Sequence, residues 1–274
     1  MTRGFLVFAF DNEKVSYFKH AVWTADRIER FLNLPTTIVT DTKSAETQTT
    51  THDLIITDAI SGGQRNFDLG QCGGEAKWYN VNRYQAYDHS PYDETIVLDS
   101  DYIVNSDQLL KVFDTHHDVL FHRDVYDITG RRGAENYRTF GHHNFPHYWA
   151  TVLFFRKGKE AQNFFQCMDM IKSNYTHYSK IYKYHRLPYR SDYATSIALG
   201  MIYGHRIDAM PTIPWLLQTA FSDVKVIKMG DTEYKIVYEN WNKITDERQK
   251  YEIEVKDMDI HCIDKHSFEA IVNE

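Results

Sequence analysis

The residues best placed to do chemistry are Asp99 and Asp101, which follow directly after the apolar run Ile96-Val97-Leu98. Side chains alternate between the two faces of a β-strand, so these aspartates share a face if the strand continues through Ser100. Two carboxylates on one face repel each other unless a cation lies beside them, and carboxylate oxygens suit Mg²⁺ or Mn²⁺. The pair therefore predicts a divalent-metal site that could stabilise a departing diphosphate.

The Asp-x-Asp pattern is short, and it occurs again at Asp257-Met258-Asp259. A pair of solvated surface aspartates is therefore the alternative interpretation of either copy. The position of Asp99 and Asp101 favours the metal site, because the pair follows an apolar strand in a pattern of alternating strands and helices.

The first half of the chain alternates strand-like and helix-like segments. Apolar runs predict strands, and apolar residues spaced by three or four predict helices. The predicted strands cover residues 4–10, 36–40, 54–57 and 95–98, and the predicted helices cover 14–32 and 75–87. This order indicates an α/β fold with a mostly parallel, Rossmann-like sheet, whose ligands bind beyond the carboxyl ends of the strands. Asp11, Asp41 and Asp99 each follow a strand and are expected at that edge.

The second half continues the pattern with a strand over 150–155, a helix over 158–171 and a strand over 251–255 that alternates like an edge strand. Ser191 is expected to be the N-cap of a helix that runs to about Met201. The last predicted strand leads into Asp259 and His261, which share a strand face.

Three segments of the chain resemble the GT-A superfamily of glycosyltransferases, especially the glycogenin-like family 8. They are KWYNVNRYQAYDHSPYDETIVLDSDYIV (77–104), PYRSDYATSIAL (188–199) and MDIHCIDKHSF (258–268). The last segment lacks the glycine and the Pro-Trp of the family pattern. The resemblance implies a GT-A fold, in which helices cover both faces of a mostly parallel central sheet, and a metal-dependent transfer of sugar from a UDP-sugar.

The resemblance also implies roles for individual residues. Asp99, Asp101 and His261 would be the metal ligands, and an imidazole among carboxylates favours Mn²⁺ over Mg²⁺. The other implied positions are Lys77 and Lys265 at the diphosphate or at the aspartate pair, Phe10 and Asp11 beneath the uridine, Asp41 at the base or ribose, and Asp192 beside the reacting sugar.

The middle of the chain differs in charge from the rest. Residues 121–190 hold 12 Lys and Arg against 5 Asp and Glu, together with 16 aromatic residues, in a chain of net charge −7. Basic side chains neutralise phosphates and aromatic faces stack on bases, so this segment predicts a nucleic-acid acceptor.

The chain also resembles the glycosyltransferases of T-even-type bacteriophages, which implies hydroxymethylcytosine-type DNA and a base flipped into a pocket. On this resemblance, Arg131 and Arg132 of the basic segment would contact the DNA backbone. The flipped base would be held by Trp149, Tyr148 or Phe145.

The expected organisation is a single domain with three parts. Residues 1–115 form the donor-binding half, 116–250 form the acceptor-side half, and 251–274 close the metal and diphosphate site. Tyrosine-rich segments also line sugar sites, so a glycan or protein acceptor stays open as the alternative. Two other classes are a nucleotidyltransferase, which is disfavoured because DNEKVSY (11–17) lacks a glycine-rich loop, and a non-catalytic nucleic-acid-binding module.

Composition favours a cytoplasmic protein, in the host cytoplasm if a phage encodes it. The three cysteines are far apart and form no C-x-x-C pair, which is typical of a reduced compartment. No apolar run approaches the roughly 18 residues that span a membrane, so no membrane partner is expected.

Overall fold

The structure is a computed structural model. It describes residues 1–57, 82–184, 189–206, 210–242 and 245–274, and the backbone alone of the two strands Gln64–Phe67 and Gly74–Lys77.

Strands and helices alternate along the first part of the chain, and strands dominate its last part. The strands are β1 Arg3–Phe8, β2 Thr36–Thr40, β3 Asp53–Ile56, β4 Gln64–Phe67, β5 Gly74–Lys77, β6 Glu94–Leu98, β7 Tyr102–Ile103, β8 Val119–His122, β9 Val125–Asp127, β10 Thr139–Phe140, β11 Phe145–Pro146, β12 Trp149–Arg156, β13 Leu217–Ala220, β14 Lys225–Lys228, β15 Glu233–Asn242, β16 Glu247–Lys256 and β17 Ile260–Cys262. The helices are α1 Tyr17–Leu32, α2 Thr42–Ala45, α3 Ala86–His89, α4 Lys159–Ser173, α5 Tyr175–Ile181, α6 Ser191–Ile202 and α7 Lys265–Asn273. Short 3₁₀ helices cover Arg83–Gln85, Gln108–Asp114 and Ala134–Tyr137.

A six-stranded sheet in the order β3-β2-β1-β6-β12-β8 forms the centre of the molecule. Strands β3, β2, β1 and β6 run parallel, and β12 is antiparallel to both β6 and β8. The predicted α/β class with a mostly parallel central sheet is thus confirmed. The sheet includes strands from both sides of residue 115, so one sheet unites the two predicted halves.

Helices cover both faces of this sheet because its central strands are apolar on both faces. Leu6 and Phe8 of β1 belong to the core under α4 and α6, whereas Phe5 and Val7 belong to the core under α1. Residues of β1 alternate between the two cores, as the two-residue period of a strand requires. Near-continuous burial of this kind is typical of parallel strands with helices on both sides.

Two smaller sheets flank the central one. Strands β7-β17-β13-β9 form a four-stranded sheet, in which β17 runs antiparallel to β7 and parallel to β13. Strands β14, β15 and β16 form an antiparallel sheet with β16 at its edge, as predicted for residues 251–255. This last sheet shares a core with α7 that includes Tyr234, Ile236 and Phe268.

Two local predictions were wrong. Of the helix predicted over 75–87, residues 75–77 belong instead to β5, which pairs with β4, and residues 83–87 belong to short helices from Arg83 to His89. Residues 78–81 lie outside the described residues. Helix propensity is a weak prior, and here pairing with a second strand supplies the backbone hydrogen bonds instead. Ser191 is the first residue of α6 rather than its N-cap; Arg190 is the N-cap, in extended conformation and without a side-chain hydrogen bond to the helix.

Among the described residues, no helix is both long enough and apolar enough to cross a membrane.

A buried histidine makes the stability of this core dependent on pH. His20 lies in α1 with its ring edge-on to Phe268 of α7 at 4.8 Å, and burial lowers its pKa from 6.5 to about 3. The folded state therefore binds fewer protons than the unfolded chain between those two values, and stability falls as the pH drops through this window.

We expect the free energy of unfolding to be about 2 kcal/mol lower at pH 5 than at pH 7 because of His20. His20→Leu should remove that contribution, and chemical denaturation at the two pH values measures it. His122, whose pKa burial also lowers to about 3, adds a contribution of the same sign, and Asp259, whose pKa burial raises to about 6, adds one of the opposite sign. His142→Gln, at an exposed position, is the control and should behave like the wild type. An unchanged pH dependence in His20→Leu would contradict this account.

Candidate functional site

Strand β6 carries Asp99 to the carboxyl edge of the central sheet, where the chain turns. The Asp99 N–H donates to the Thr151 carbonyl of β12 at 3.0 Å, and the Tyr102 N–H donates back to the Asp99 carbonyl at 3.2 Å. Residues Ser100 and Asp101 therefore form a tight turn into β7, so the condition for a shared strand face, a strand that continues through Ser100, is not met. The turn places the two carboxylates close together.

Strand β17 brings a late segment of the chain to this turn. His261 lies opposite Tyr102 in the antiparallel pair of β17 and β7, and the Cys262 N–H donates to the Asp101 carbonyl at 3.0 Å. Asp264 then accepts a hydrogen bond from the Ser267 N–H and caps α7. Lys265 is therefore held at the first position of that helix, beside Asp101.

Asp99, Asp101 and His261 form the candidate metal centre. One ligand atom from each residue lies within 4.8 Å of the others, and His261 Nε2 is 3.9 Å from a carboxylate oxygen of each aspartate. Burial lowers the pKa of His261, although the Asp99 charge opposes that shift, so the imidazole is neutral near pH 7 and has a lone pair for a metal. Two carboxylates and one imidazole are a donor set that fits Mn²⁺ or Mg²⁺.

Two cations compensate the charge of the carboxylates. Arg83 forms an ion pair with Asp99 and also donates to the Ala150 carbonyl of β12, and Lys265 forms an ion pair with Asp101. Burial lowers the pKa of Lys265 to about 8, and the Asp99 charge opposes that shift. Sequence reasoning missed Arg83. It assigned the basic position in the same segment to Lys77, whose side chain lies outside the described residues.

Asp192 lies buried in the first turn of α6, next to β12. The Ala150 N–H donates to its carboxylate at 2.9 Å, and Arg190 forms an ion pair with it at 2.9 Å. Burial raises the pKa of Asp192, but Arg190, His147 and the Ala150 N–H together outweigh it, so the pKa lies below its ordinary value. Asp192 is thus an ionised carboxylate near His261, whose pKa its charge influences.

The predicted nucleotide residues lie at the carboxyl ends of β1 and β2. Phe10 is buried, and Asp11 accepts hydrogen bonds from the Phe18 N–H at 2.8 Å and from Ser16 Oγ at 3.1 Å. Asp41 caps α2 by accepting from the Ser44 N–H at 2.7 Å. Both carboxylates thus organise the loops at the sheet edge, and their contact with a nucleotide stays a prediction.

The residues predicted for the acceptor lie in two different places. Trp149 is buried with its ring 6.4 Å from that of His261, beside the candidate metal centre. Arg131 and Arg132 instead form ion pairs with Asp223, and Arg132 also binds the buried Asp127 at 2.9 Å. The structure therefore does not bring the two arginines together with Trp149, and their guanidinium groups are largely engaged by acidic side chains.

Several buried polar atoms around the centre have no hydrogen-bond partner within the part of the chain that the structure describes. They include His147 Nε2, Trp149 Nε1 and His261 Nδ1. His147 Nδ1 is 3.2 Å from the Tyr137 carbonyl, which only accepts, so Nδ1 carries the proton and Nε2 is left as an acceptor. Buried polar groups are nearly always paired in folded proteins. The hydrogen-bonding capacity of these three atoms is therefore unused within the described residues.

Comparisons with known proteins identify no family for the chain. No family model and no curated protein matches it. Among solved structures, it is similar to the glycosyltransferase GlyE of Streptococcus pneumoniae TIGR4, with 16% identity over 78% of this chain and 46% of that one and a TM-score of 0.43. It is also similar to the galactosyltransferase LgtC, solved with donor and acceptor sugar analogues (12% identity, 74% and 71% of the chains, TM-score 0.44), and to mouse xyloside xylosyltransferase 1 (12%, 78% and 84%, TM-score 0.44). The chain spans less than half the length of GlyE.

These likenesses are too distant to carry an activity. What the fold and the site define is an α/β protein with a candidate divalent-metal centre at the carboxyl edge of a mostly parallel sheet.

The metal centre makes a direct prediction about ion binding. Mn²⁺ should raise the melting temperature of the wild type, because an ion that binds the folded state alone stabilises it. Asp101→Asn should lose most of this shift, since it removes one charged ligand from the centre. The measurement is thermal denaturation with Mn²⁺ and with a chelator.

The matched control for that measurement is Asp257→Asn in the second Asp-x-Asp copy, where the side chain is exposed and bonds Thr232. This variant should keep the full Mn²⁺ shift. If Mn²⁺ raises the melting temperature equally in Asp101→Asn and Asp257→Asn, Asp101 is not a metal ligand and the candidate metal centre is wrong.

Proposed function

We propose that the protein is a metal-dependent glycosyltransferase that moves a sugar from a UDP-sugar to an acceptor hydroxyl. The observation that carries this proposal is the cluster of Asp99, Asp101 and His261 at the carboxyl edge of the parallel strands, with Lys265 and Arg83 beside it. Ligands of such sheets bind at this edge, and the combination of carboxylates, imidazole and cations suits a nucleoside diphosphate together with a divalent ion.

The donor diphosphate would lie at this cluster. A bound Mn²⁺ or Mg²⁺ would supply positive charge for the diphosphate leaving group. Lys265 and Arg83 hold the carboxylates in place and present positive charge to the same phosphates, as Lys77 would if its side chain reaches the site. The uridine would bind beside Phe10, Asp11 and Asp41, because β1 pairs directly with both β6 and β2.

The transferred sugar would lie between the metal centre and α6. Asp192 is an ionised carboxylate at this position, and His147 Nε2 and Trp149 Nε1 offer an unused acceptor and an unused donor for sugar hydroxyls. With an inverting outcome, Asp192 would accept the proton of the attacking hydroxyl; with a retaining outcome, its charge would stabilise the oxocarbenium-like state of the sugar. The partial match at His261 favours the retaining outcome.

For the acceptor we propose hydroxymethylcytosine-type phage DNA, with a glycan or a protein as the alternative. The net positive charge of residues 121–190 supports DNA, and Lys157, Lys159, Lys180 and Lys183 are exposed there. The tyrosines of this segment support it less, because Tyr182, Tyr184 and Tyr189 lie buried in the core and cannot stack on bases. Phosphate contacts would thus come mainly from the exposed lysines, and Arg131 and Arg132 would contribute less because acidic side chains engage them.

The donor site is tested first, by calorimetry of UDP with Mn²⁺ and after chelation. The wild type should bind UDP only with the metal, and Asp101→Asn should weaken binding by about tenfold or more, because one charged ligand is lost. Asp257→Asn should bind like the wild type. If the wild type binds no UDP under either condition, the transferase proposal fails, and a non-catalytic nucleic-acid-binding protein becomes the leading hypothesis.

The DNA acceptor is tested separately by fluorescence anisotropy over a range of salt concentrations. If Lys180 contacts a phosphate, Lys180→Gln should lower the affinity for all DNA sequences and reduce the salt slope by about one. Lys111→Gln, exposed but outside the basic segment, is the control. A protein that binds UDP but no DNA would leave the donor site intact and shift the acceptor to a glycan or protein.

A further inference from the structure

Strand β16 leaves a long edge of its sheet unpaired. It pairs with β15 over ten residue pairs, from Glu247↔Asn242 to Lys256↔Glu233, and it is the terminal strand of the sheet β14-β15-β16. Within the described part of the chain, no strand pairs with its other side. A free edge of this length carries a row of N–H and C=O groups that can pair with another strand.

The two faces of β16 differ in character. On one face, the ring of Tyr251 stacks on Tyr238 with centroids 5.6 Å apart, and Ile253 packs against the core shared with α7. On the other face, the side chains are exposed and charged: Arg248, Lys250, Glu252, Glu254 and Lys256. Any partner strand must therefore match an exposed row in which two positive charges, Arg248 and Lys250, are followed by two negative charges, Glu252 and Glu254.

The charge row of β16 is complementary to itself. In an antiparallel pair of two copies related by a two-fold axis at Tyr251, Lys250 lies opposite Glu252 of the second copy, and Arg248 lies opposite Glu254. Each contact occurs twice because the pairing is symmetric. Directly opposed residues of opposite charge stabilise antiparallel strands, and like charges destabilise them.

Of the registers in which most of the two strands overlap, only the one centred on Tyr251 places no like charges opposite each other. A two-fold axis perpendicular to the sheet keeps each face on its own side, so the register can change only in steps of two residues. One such step places Glu252 opposite itself and Arg248 opposite Lys256. The step in the other direction places Lys250 opposite itself. The central register also places the two Tyr251 rings opposite each other on the packed face.

We propose that β16 is a dimerisation edge, through which two copies of this chain join their three-stranded sheets into one continuous antiparallel sheet. We assign this edge to a second copy of the chain because the charges of β16 meet opposite charges when a second β16 runs antiparallel to it. Within one chain, Glu252 contacts Lys250 at 3.4 Å and Lys235 at 3.1 Å, Lys256 contacts Glu233 at 2.6 Å and Arg248 contacts Glu239 at 3.8 Å. Apart from Lys235, these side chains are exposed, and ion pairs between exposed groups are weak. They leave the side chains free to turn towards the partner strand.

The test is sedimentation equilibrium of the full chain from micromolar to millimolar concentration. The wild type should show a monomer–dimer equilibrium. Lys250→Glu and Glu252→Lys should each raise the dissociation constant by about tenfold or more, because each places like charges opposite each other twice. The combined variant Lys250→Glu with Glu252→Lys restores opposite charges across the two-fold axis and should recover the dimer.

Melting curves of each variant show whether the fold is retained, and Lys111→Glu is a control for the change in net charge. A wild type that is monomeric at every concentration would overturn the proposal, as would a combined variant that fails to recover the dimer while melting like the wild type. The readout needs no UDP or acceptor, so it is independent of the proposed activity.

Discussion

The close approach of two carboxylates is the interaction on which the arrangement of this site depends. Asp99 and Asp101 repel each other, and the chain holds them together only because Arg83 and Lys265 lie beside them and the neutral imidazole of His261 faces both. Burying one such charge without a partner would be strongly unfavourable. Three structural features bring the carboxylates and their cations together: the turn between β6 and β7, the pairing of β7 with β17, and the cap of α7.

The sequence predicts the central architecture well because the signals there are local. The apolar runs in β1, β2, β6 and β12 and the periodic stripe of α1 each give the correct element within a few residues. The segment from Gly74 to His89 fails because strand β5 depends on pairing with β4, a partner that no property of residues 75–87 reveals. The start of α6 is displaced by one residue because Ser191 has the side chain of an N-cap but lies within the helix.

The site is less predictable because it joins distant segments. Proximity of Asp99, Asp101, His261 and Lys265 is expected from a family resemblance, whereas spacing alone supports only the two aspartates. Arg83 was missed because its role arises from the fold, which directs its guanidinium between Ala150 and Asp99. The basic and aromatic composition of 121–190 misleads in a different way, because it suggests a single binding surface. In the structure, many of its aromatic side chains lie in the core, and Arg131 and Arg132 are paired with acidic groups.

The separation of these residues along the chain has a consequence for the order in which the molecule folds. The contact between Asp101 and Lys265 closes a loop of 164 residues, and the contact between Asp99 and Arg83 closes one of only 16. Contacts of long range form late because their loop-closure entropy must be offset by structure that already exists. In a folding intermediate with an intact central sheet, both aspartates would therefore be in position, whereas His261 and Lys265 would not yet have reached them. Affinity for a divalent ion would appear only at the final docking step, so metal binding would favour completed molecules over partly folded ones.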